Sequence, residues 1–149
     1  MEFKIYLSGG MSGLSYAEQT QWRDKIKERI RVRCGQHSLV NHPIFFDPVK
    51  FYNFQEVRHK SEREVFEFDL QNLKDSRLVI VNFNDVKSIG TAMELILAKD
   101  RGIPVVGLNK DKIELHPWLA ECCTRICDDM DELIDHVVEF YLQFKPLRI

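Results

Sequence analysis

The sequence predicts an α/β fold built on a five-stranded parallel sheet with helices on both faces. Short apolar segments alternate with segments of helical periodicity along the chain, which is typical of such a sheet. The segments at residues 77–83 and 103–108 are mostly apolar, which indicates strands buried on both faces. Five such strands favour the flavodoxin-like (Rossmann-like) order 2-1-3-4-5. We expect the 149 residues to form a single domain, 1–149.

The N-terminal half begins with a strand from Phe3 to Ser8, which ends in the glycine-rich turn Ser8–Gly13. The helix that follows is predicted to turn Trp22, Ile26 and Ile30 toward the core. The elements of this half after the turn are a helix at 15–34, a short strand at 39–41, an irregular segment rich in aromatic residues and proline at 42–55, and a helix at 61–74.

The C-terminal half continues the alternation. The β-branched segment RLVIVNF is a strand because valine and isoleucine favour extended backbone. Its predicted elements are strands at 77–83, 103–108 and 125–127 and helices at 90–101 and 130–144.

Composition narrows the possible partners. Apolar residues make up 44% and charged residues 30% of the chain, as in soluble globular proteins. A net charge of −2 gives no general attraction to nucleic acid polymers or anionic membranes, so we expect neither as a partner. The start of the chain lacks the layout of a signal peptide. The four cysteines, Cys34, Cys122, Cys123 and Cys127, form a poor disulfide framework, which favours a reducing cytoplasm.

In open parallel sheets, ligands bind at the carboxyl ends of the strands where the strand order reverses. Here that edge collects the turns at residues 8–13 and 84–90. The first turn supplies Ser8, Gly9, Gly10, Ser12 and Gly13, whose backbone N–H groups suit a phosphate or a sugar hydroxyl. The turn matches neither the G-x-G-x-x-G nor the Walker pattern, and it is equally explained as a tight strand-to-helix connection.

Glu94 is predicted to lie in the first turn of its helix, where the helix dipole favours an ionised carboxylate. Such a carboxylate can attack an electrophilic sugar carbon. The alternative is structural, because residues 91–94 fit the S/T-x-x-E capping box, in which glutamate bonds back to the helix start. Residues 15–18 and 61–64 fit the same pattern, so the pattern alone leaves both interpretations open.

Asp69 and Tyr6 are two further candidates. Asp69 falls near the apolar stripe of helix 61–74, where a carboxylate needs a partner or a function, although it also fits a solvent-exposed face rich in acids. Tyr6 lies near the carboxyl end of the first strand, and it fits a core residue with a satisfied hydroxyl as well as a functional one.

Taken together, these segments resemble the nucleoside 2-deoxyribosyltransferase superfamily, including its branch of 2′-deoxynucleoside 5′-monophosphate N-glycosidases. The resemblance covers about residues 3–108, and it depends on the order of four short motifs. These are Ile5-Tyr6-Leu7-Ser8-Gly9-Gly10, Asp69-Leu70-Gln71-Asn72-Leu73, Leu78-Val79-Ile80-Val81 and Gly90-Thr91-Ala92-Met93-Glu94.

The resemblance implies that Glu94 is the nucleophile that attacks the anomeric carbon and forms a glycosyl ester. It further implies that Tyr6 holds Glu94 and the sugar, and that Asp69 positions or protonates the leaving base. No metal or cofactor is implied. The chain departs from the family's transferases at Ser88, where they carry aspartate. Serine at this position resembles the nucleotide hydrolases and favours a 5′-monophosphate.

A phosphate would then contact Ser12, Ser88, the amides of residues 9–13 and Arg23, close to Gly90. Arg23 alternatively belongs to a solvated helix face with Lys27 and Arg31. The expected activity is cleavage of the N-glycosidic bond of deoxynucleosides or their monophosphates. Two alternatives stay open, namely a transferase that exchanges bases and a non-catalytic nucleotide sensor.

Three other segments allow weaker interpretations. The aromatic segment 45–54 either lines the base site or covers the core. Related enzymes are dimers or higher oligomers, and residues 116–119 either contribute to such an interface or pack into the local core. The cysteines near His116 lack the paired spacing of a zinc site, so no metal site is expected.

Overall fold

The computed structural model describes residues 1–36, 39–51 and 61–143. Every pairing between neighbouring strands is parallel, and the strand order is β2-β1-β3-β4-β5. The predicted flavodoxin-like sheet and its order are therefore confirmed. The strands are β1 (Glu2–Gly9), β2 (His42–Phe46), β3 (Leu78–Asn82), β4 (Val105–Leu108) and β5 (Arg125–Cys127).

Four longer helices begin within two residues of their predicted starts. Two of the expected capping serines are present, because Ser15 accepts from the Glu18 amide at 3.1 Å and Ser61 accepts from the Glu64 amide at 3.3 Å. The sequence did not predict the short helices α2 and α5. The helices are α1 (Tyr16–Gln36), α2 (Pro48–Phe51), α3 (Glu62–Lys74), α4 (Ile89–Asp100), α5 (Pro117–Glu121) and α6 (Met130–His136).

The last predicted helix changes type within its length. After α6, residues Val137–Leu142 form a π-helix, and the Gln143 amide donates to the Val138 carbonyl at 2.7 Å. Residue 144, where the predicted helix ended, lies outside the described residues. Within the described ranges, none of the helices combines the length and the apolarity that crossing a membrane requires.

Helices cover both faces of the sheet, and the alternation of β1 decides which side chain meets which face. Ile5 and Leu7 belong to the core cluster that contains the inward side chains of α1 and α6. Tyr6 belongs to the opposite cluster, with Leu73 of α3 and Leu95 of α4. By the same alternation, Ser8 points to the side of α3 and α4. The sequence of β1 thus directs its polar groups toward one pair of helices.

The predicted second strand at 39–41 is wrong, because β2 lies at His42–Phe46. The amides of Val40 and Asn41 donate instead to the carbonyl of Leu142, at 3.1 and 3.2 Å, so they bond to the end of the π-helix. Residues 42–55 were predicted to be irregular partly because of Pro43. However, β2 is an edge strand, and an edge strand tolerates proline because the backbone on its outer side needs no hydrogen-bond donor.

Candidate active site

A cleft of about 560 Å³ opens at the carboxyl ends of β1 and β3, with α3 and α4 on its sides. This is the edge where the strand order reverses, as the sequence predicted for a ligand site. Three of the candidate residues, Ser8, Gly10 and Gly13, do not line the cleft. The candidates that do line it are Tyr6, Gly9, Ser12, Arg23, Asp69, Ser88, Gly90 and Glu94.

Glu94 lies in the second turn of α4, so its predicted place in the first turn is wrong. The helix is capped by Ser88, whose Oγ accepts from the Thr91 amide at 3.3 Å. Glu94 therefore does not close a capping box with Thr91. Its Oε1 instead accepts a hydrogen bond from the Ser8 hydroxyl at 3.1 Å, and Glu94 lines the cleft. The capping-box alternative for Glu94 is therefore removed, because Ser88 caps the helix and Glu94 lies beyond its first turn.

Burial raises the pKa of the Glu94 carboxyl from 4.5 to about 7. The neighbouring hydroxyls of Tyr6 and Ser8 and the charge of Arg23 oppose this effect, while the nearby charge of Asp69 adds to it. Burial therefore opposes the expected preference of this carboxyl for its ionised form. Near neutral pH, both the acid and its anion are present in substantial amounts.

Tyr6 is fully buried, and its ring stacks on Phe46 with the centroids 5.3 Å apart. Burial raises the pKa of its hydroxyl well above the ordinary value, and the charges of Glu94 and Asp69 raise it further. The hydroxyl therefore keeps its proton and can act as a donor toward Glu94. Asp69, on α3, lines the same cleft and is close enough to influence both of these groups.

The glycine-rich turn is fixed against the β3–α4 loop. The Gly10 amide donates to the Asn84 side-chain oxygen at 3.0 Å, and a Cβ on Gly10 would lie 2.7 Å from the Cβ of Asp85. Gly13 has a φ of +80°, which glycine adopts without strain. The Gly10 amide is thus already bonded within the protein, which removes one donor from the expected cradle of amides.

Ser88 and Ser12 both line the cleft, and so does the exposed side chain of Lys87. The Ser88 oxygen accepts from the Thr91 hydroxyl at 3.0 Å as well as from the Thr91 amide, which leaves its own proton free for a ligand. Asp85 also lines the cleft, and its Oδ1 accepts from the Lys87 amide at 3.0 Å. The mouth of the cleft therefore carries hydroxyl donors and charges of both signs.

Arg23 does not belong to a solvated helix face, because its exposed fraction is 0%. Its guanidinium donates to main-chain carbonyl oxygens of Leu7 at 3.4 Å, Gly9 at 3.3 Å and Gln19 at 2.6 Å. Asp47 lies 3.8 Å from Arg23 Nε. Burial lowers the pKa of Arg23, whereas Asp47, Glu94 and Tyr6 raise it.

The sequence interpretation missed the apolar walls of the cleft. The sequence did contain a pattern that predicts these walls. Phe66 and Leu70 are four residues apart on the helix of Asp69, and Ile89 and Met93 are four residues apart on the helix of Glu94, so each pair lies on one side of its helix. Pro48 is the part of the aromatic segment 45–54 that lines the cleft, and residues 52–54 lie outside the described ranges. The apolar lining residues are Met11, Pro48, Phe66, Leu70, Ile89 and Met93.

Within residues 116–119, Leu119 packs against the core cluster that contains Leu95, whereas the Trp118 side chain is 79% exposed. His116 caps α5 by accepting from the Trp118 amide at 3.1 Å. The four cysteines are free thiols. In the part of the chain that the structure describes, no three His, Cys, Asp or Glu side chains are grouped to hold a metal ion.

The raised pKa of the half-buried Glu94 carboxyl gives the folded chain a specific pH dependence. Its pKa is higher in the folded chain, about 7, than the ordinary value of 4.5, so the folded state binds the proton more tightly. The resulting stabilisation is fully present below the ordinary pKa and is lost as the pH rises through about 7.

Between pH 5 and pH 8, the free energy of unfolding of wild type minus that of Glu94→Gln should therefore fall by on the order of 2 kcal/mol. Urea unfolding at the two pH values measures this difference. Glu121→Gln, which removes an exposed carboxyl on α5, is the control for the loss of a negative charge. A pH-independent difference for Glu94→Gln would contradict the burial of this carboxyl.

Fold and cleft together define a flavodoxin-like α/β protein with three carboxyl groups, those of Asp69, Asp85 and Glu94, and a buried tyrosine at its switch point. No protein-family model matches the chain, and no curated protein matches it. Among solved structures, a conserved protein from Enterococcus faecalis V583 is similar, with a TM-score of 0.75 and 17% identity over 93% of this chain and 99% of that one.

Two similar structures are enzymes. A 2-deoxyribosyltransferase from Bacillus psychrosaccharolyticus has a TM-score of 0.69 and 17% identity, with 89% of this chain and 90% of that one covered. A CMP N-glycosidase from Clostridium botulinum has a TM-score of 0.55 and 16% identity, with 92% and 99% covered. At these identities the similarity establishes a common fold, so the resemblance to the deoxyribosyltransferase superfamily is confirmed at the level of the fold.

Proposed function

We propose that this protein cleaves the N-glycosidic bond of 2′-deoxynucleosides or their 5′-monophosphates, with Glu94 as the nucleophile. The observation that supports the proposal is the position of Glu94, which is bonded to Ser8 in a cleft also lined by Tyr6 and Asp69. The two enzymes with the same fold act on glycosidic bonds of this kind, as a 2-deoxyribosyltransferase and a CMP N-glycosidase.

In the proposed reaction, the Glu94 anion attacks the anomeric carbon and the bond to the base breaks. The base leaves with a proton supplied from Asp69, and the sugar remains as an ester of Glu94. Water then gives a proton to the Asp69 carboxylate and attacks the same carbon, which releases the sugar and the Glu94 carboxylate. Because the Tyr6 hydroxyl stays protonated, it can stabilise the carboxylate of Glu94 in the first and last steps.

We favour a nucleotide over a free nucleoside because the mouth of the cleft suits a phosphate. Ser12, Ser88 and Lys87 line it beside the start of α4, where the helix dipole favours an anion. The apolar side chains of Phe66 and Met93, 46% and 44% exposed, offer surfaces for the base. Hydrolysis is favoured over transfer to a second base, which remains the alternative.

A panel of deoxynucleosides and their 5′-monophosphates, incubated with and without a second free base, tests the proposal by the release of base. Release without an added base indicates a hydrolase, and exchange only in its presence indicates a transferase. A protein that binds monophosphates, measured by calorimetry, yet releases no base from any of them would instead be a nucleotide sensor.

Ser88→Asp should lower kcat/KM for monophosphates by roughly tenfold or more relative to the matching nucleosides, because a carboxylate would repel the phosphate dianion. Ser88→Asn is the matched control. Asparagine and aspartate both cap helices well, so the pair differs mainly in charge. Equal losses for nucleosides and monophosphates in Ser88→Asp would exclude a phosphate at Ser88.

We also propose that the chain assembles as a homodimer or a higher homo-oligomer. Three apolar side chains of α4 lie on one side of the helix next to the cleft, and all three are exposed. Their exposed fractions are 77% for Ile89, 44% for Met93 and 58% for Ile96. An assembly that covered this stripe would remove it from water.

A further inference from the structure

Arg23 is a buried charge that the proposed mechanism does not yet use. Its hydrogen bonds go to neutral main-chain carbonyls. Its acidic neighbour Asp47 also pairs with Lys27, because Lys27 Nζ lies 2.8 Å from Asp47 Oδ2. Burying a guanidinium is energetically unfavourable unless other interactions compensate for the lost hydration. The local contacts therefore leave open why an arginine, and not an apolar residue, occupies this position.

Arg23 can bond to the carbonyls of Leu7 and Gly9 because β2 ends before β1 does. The last residue pair of β1 and β2 is Tyr6 with Phe46, whereas β1 continues to Gly9. The Lys4 carbonyl accepts from the Arg77 amide on the β3 side. Because carbonyls alternate along a strand, those of Leu7 and Gly9 face the side that β2 no longer occupies. The guanidinium donates to both and takes the place of the missing strand.

This arrangement connects Arg23 to the candidate nucleophile in two ways. Ser8 lies between the two carbonyls that Arg23 binds, and its hydroxyl donates to Glu94. Arg23 also borders the cleft, and its positive charge lowers the pKa of Glu94. The charged and titratable groups around it are Tyr6 of β1, Asp47 after β2, Glu94 of α4, Asp69 of α3 beyond Glu94, and Lys27 of α1.

We propose that Arg23 is a positioning residue of this site: it fixes the strand end on both sides of Ser8, and its buried charge favours the nucleophilic anion of Glu94. This inference rests on the proposed function for its consequence in catalysis. Its electrostatic part concerns Glu94 alone and can be measured without a substrate.

The test is a titration of Glu94 by NMR in protein labelled with ¹³C at the glutamate carboxyls, with the Glu94 signal assigned from its absence in Glu94→Gln. In Arg23→Gln, the pKa of Glu94 should rise by about one pH unit, because an opposite charge has been removed. In Arg23→Lys, which keeps the positive charge, the pKa of Glu94 should stay below its value in Arg23→Gln. Equal values in Arg23→Gln and wild type would overturn the proposal.

Asp47→Asn provides the opposite change and serves also if Arg23→Gln does not fold. Asparagine can still accept from the Val49 amide, which lies 3.0 Å from Asp47 Oδ1, but it no longer neutralises Arg23. The pKa of Glu94 should therefore fall in Asp47→Asn. Asp24→Asn, which removes an exposed partner of Lys27, is the control and should leave it unchanged. An unchanged pKa in Asp47→Asn would also overturn the proposal.

Activity measurements separate this inference from the proposed function. If wild type releases base, the acidic limb of its kcat/KM profile should move with the titration, upward in Arg23→Gln and downward in Asp47→Asn. If wild type releases no base from any substrate, the proposed function fails, while the titration still decides whether Arg23 controls the charge of Glu94.

Discussion

Glu94→Gln is expected to release base at least about a thousandfold more slowly than wild type, because an amide cannot form the glycosyl ester. Glutamine has nearly the same shape and keeps an oxygen that can accept from the Ser8 hydroxyl, so the fold should remain intact. The loss should appear in kcat with every active substrate. Initial rates of base release and the circular dichroism spectrum of the variant measure both parts of this prediction.

Glu121→Gln, an exposed change of the same type on α5, controls for the loss of a negative charge and should keep wild-type rates. Mass spectrometry of wild type during turnover gives a second readout, because a sugar ester on Glu94 adds the mass of the sugar to the chain. Retention of activity in Glu94→Gln would remove Glu94 from the mechanism, whatever the other residues do.

Asp69→Asn should lower kcat by about 10²- to 10⁴-fold, the usual contribution of a general acid. Asp69→Asn should also shift the pH dependence of kcat/KM. The charge of Asp69 raises the pKa of Glu94, so its removal should move the acidic limb of kcat/KM to lower pH. Glu67→Gln, an exposed change on the same helix, should alter neither quantity.

The identity of the leaving group separates proton donation from simple positioning. With 4-nitrophenyl 2-deoxyriboside, whose leaving group departs without protonation, Asp69→Asn should lose far less activity than with a natural base. An equal loss with both substrates would mean that Asp69 positions the sugar and donates no proton.

Local signals in the sequence were sufficient for most of the fold. Continuous apolar segments identified β3 and β4, and the alternation of strands with helices predicted the order of the sheet. The second strand was missed because its ends depend on distant partners. The amides of Val40 and Asn41 bond to Leu142, about a hundred residues further along the chain, and no local pattern reports such a contact.

Part of the lining of the cleft could be predicted from the sequence, whereas its electrostatics could not. Tyr6, Asp69 and Glu94 were identified from short motifs, whereas the raised pKa of Glu94 follows from burial by several elements at once. The burial of Arg23, by contrast, could have been predicted from the sequence. It lies three and seven positions before Ile26 and Ile30, on the apolar stripe of α1, and this spacing predicts burial for any residue placed there.

The contact between Gly10 and the β3–α4 loop has a consequence for engineering. The Gly10 amide is hydrogen-bonded to the Asn84 side chain, and the absence of a Cβ on Gly10 leaves room for Asp85. The conformations of the two loops therefore depend on each other, although the loops are far apart in sequence. A change of length in either loop would leave a gap or a clash that the other must absorb. Grafting a different specificity onto this scaffold therefore requires that both loops be exchanged together.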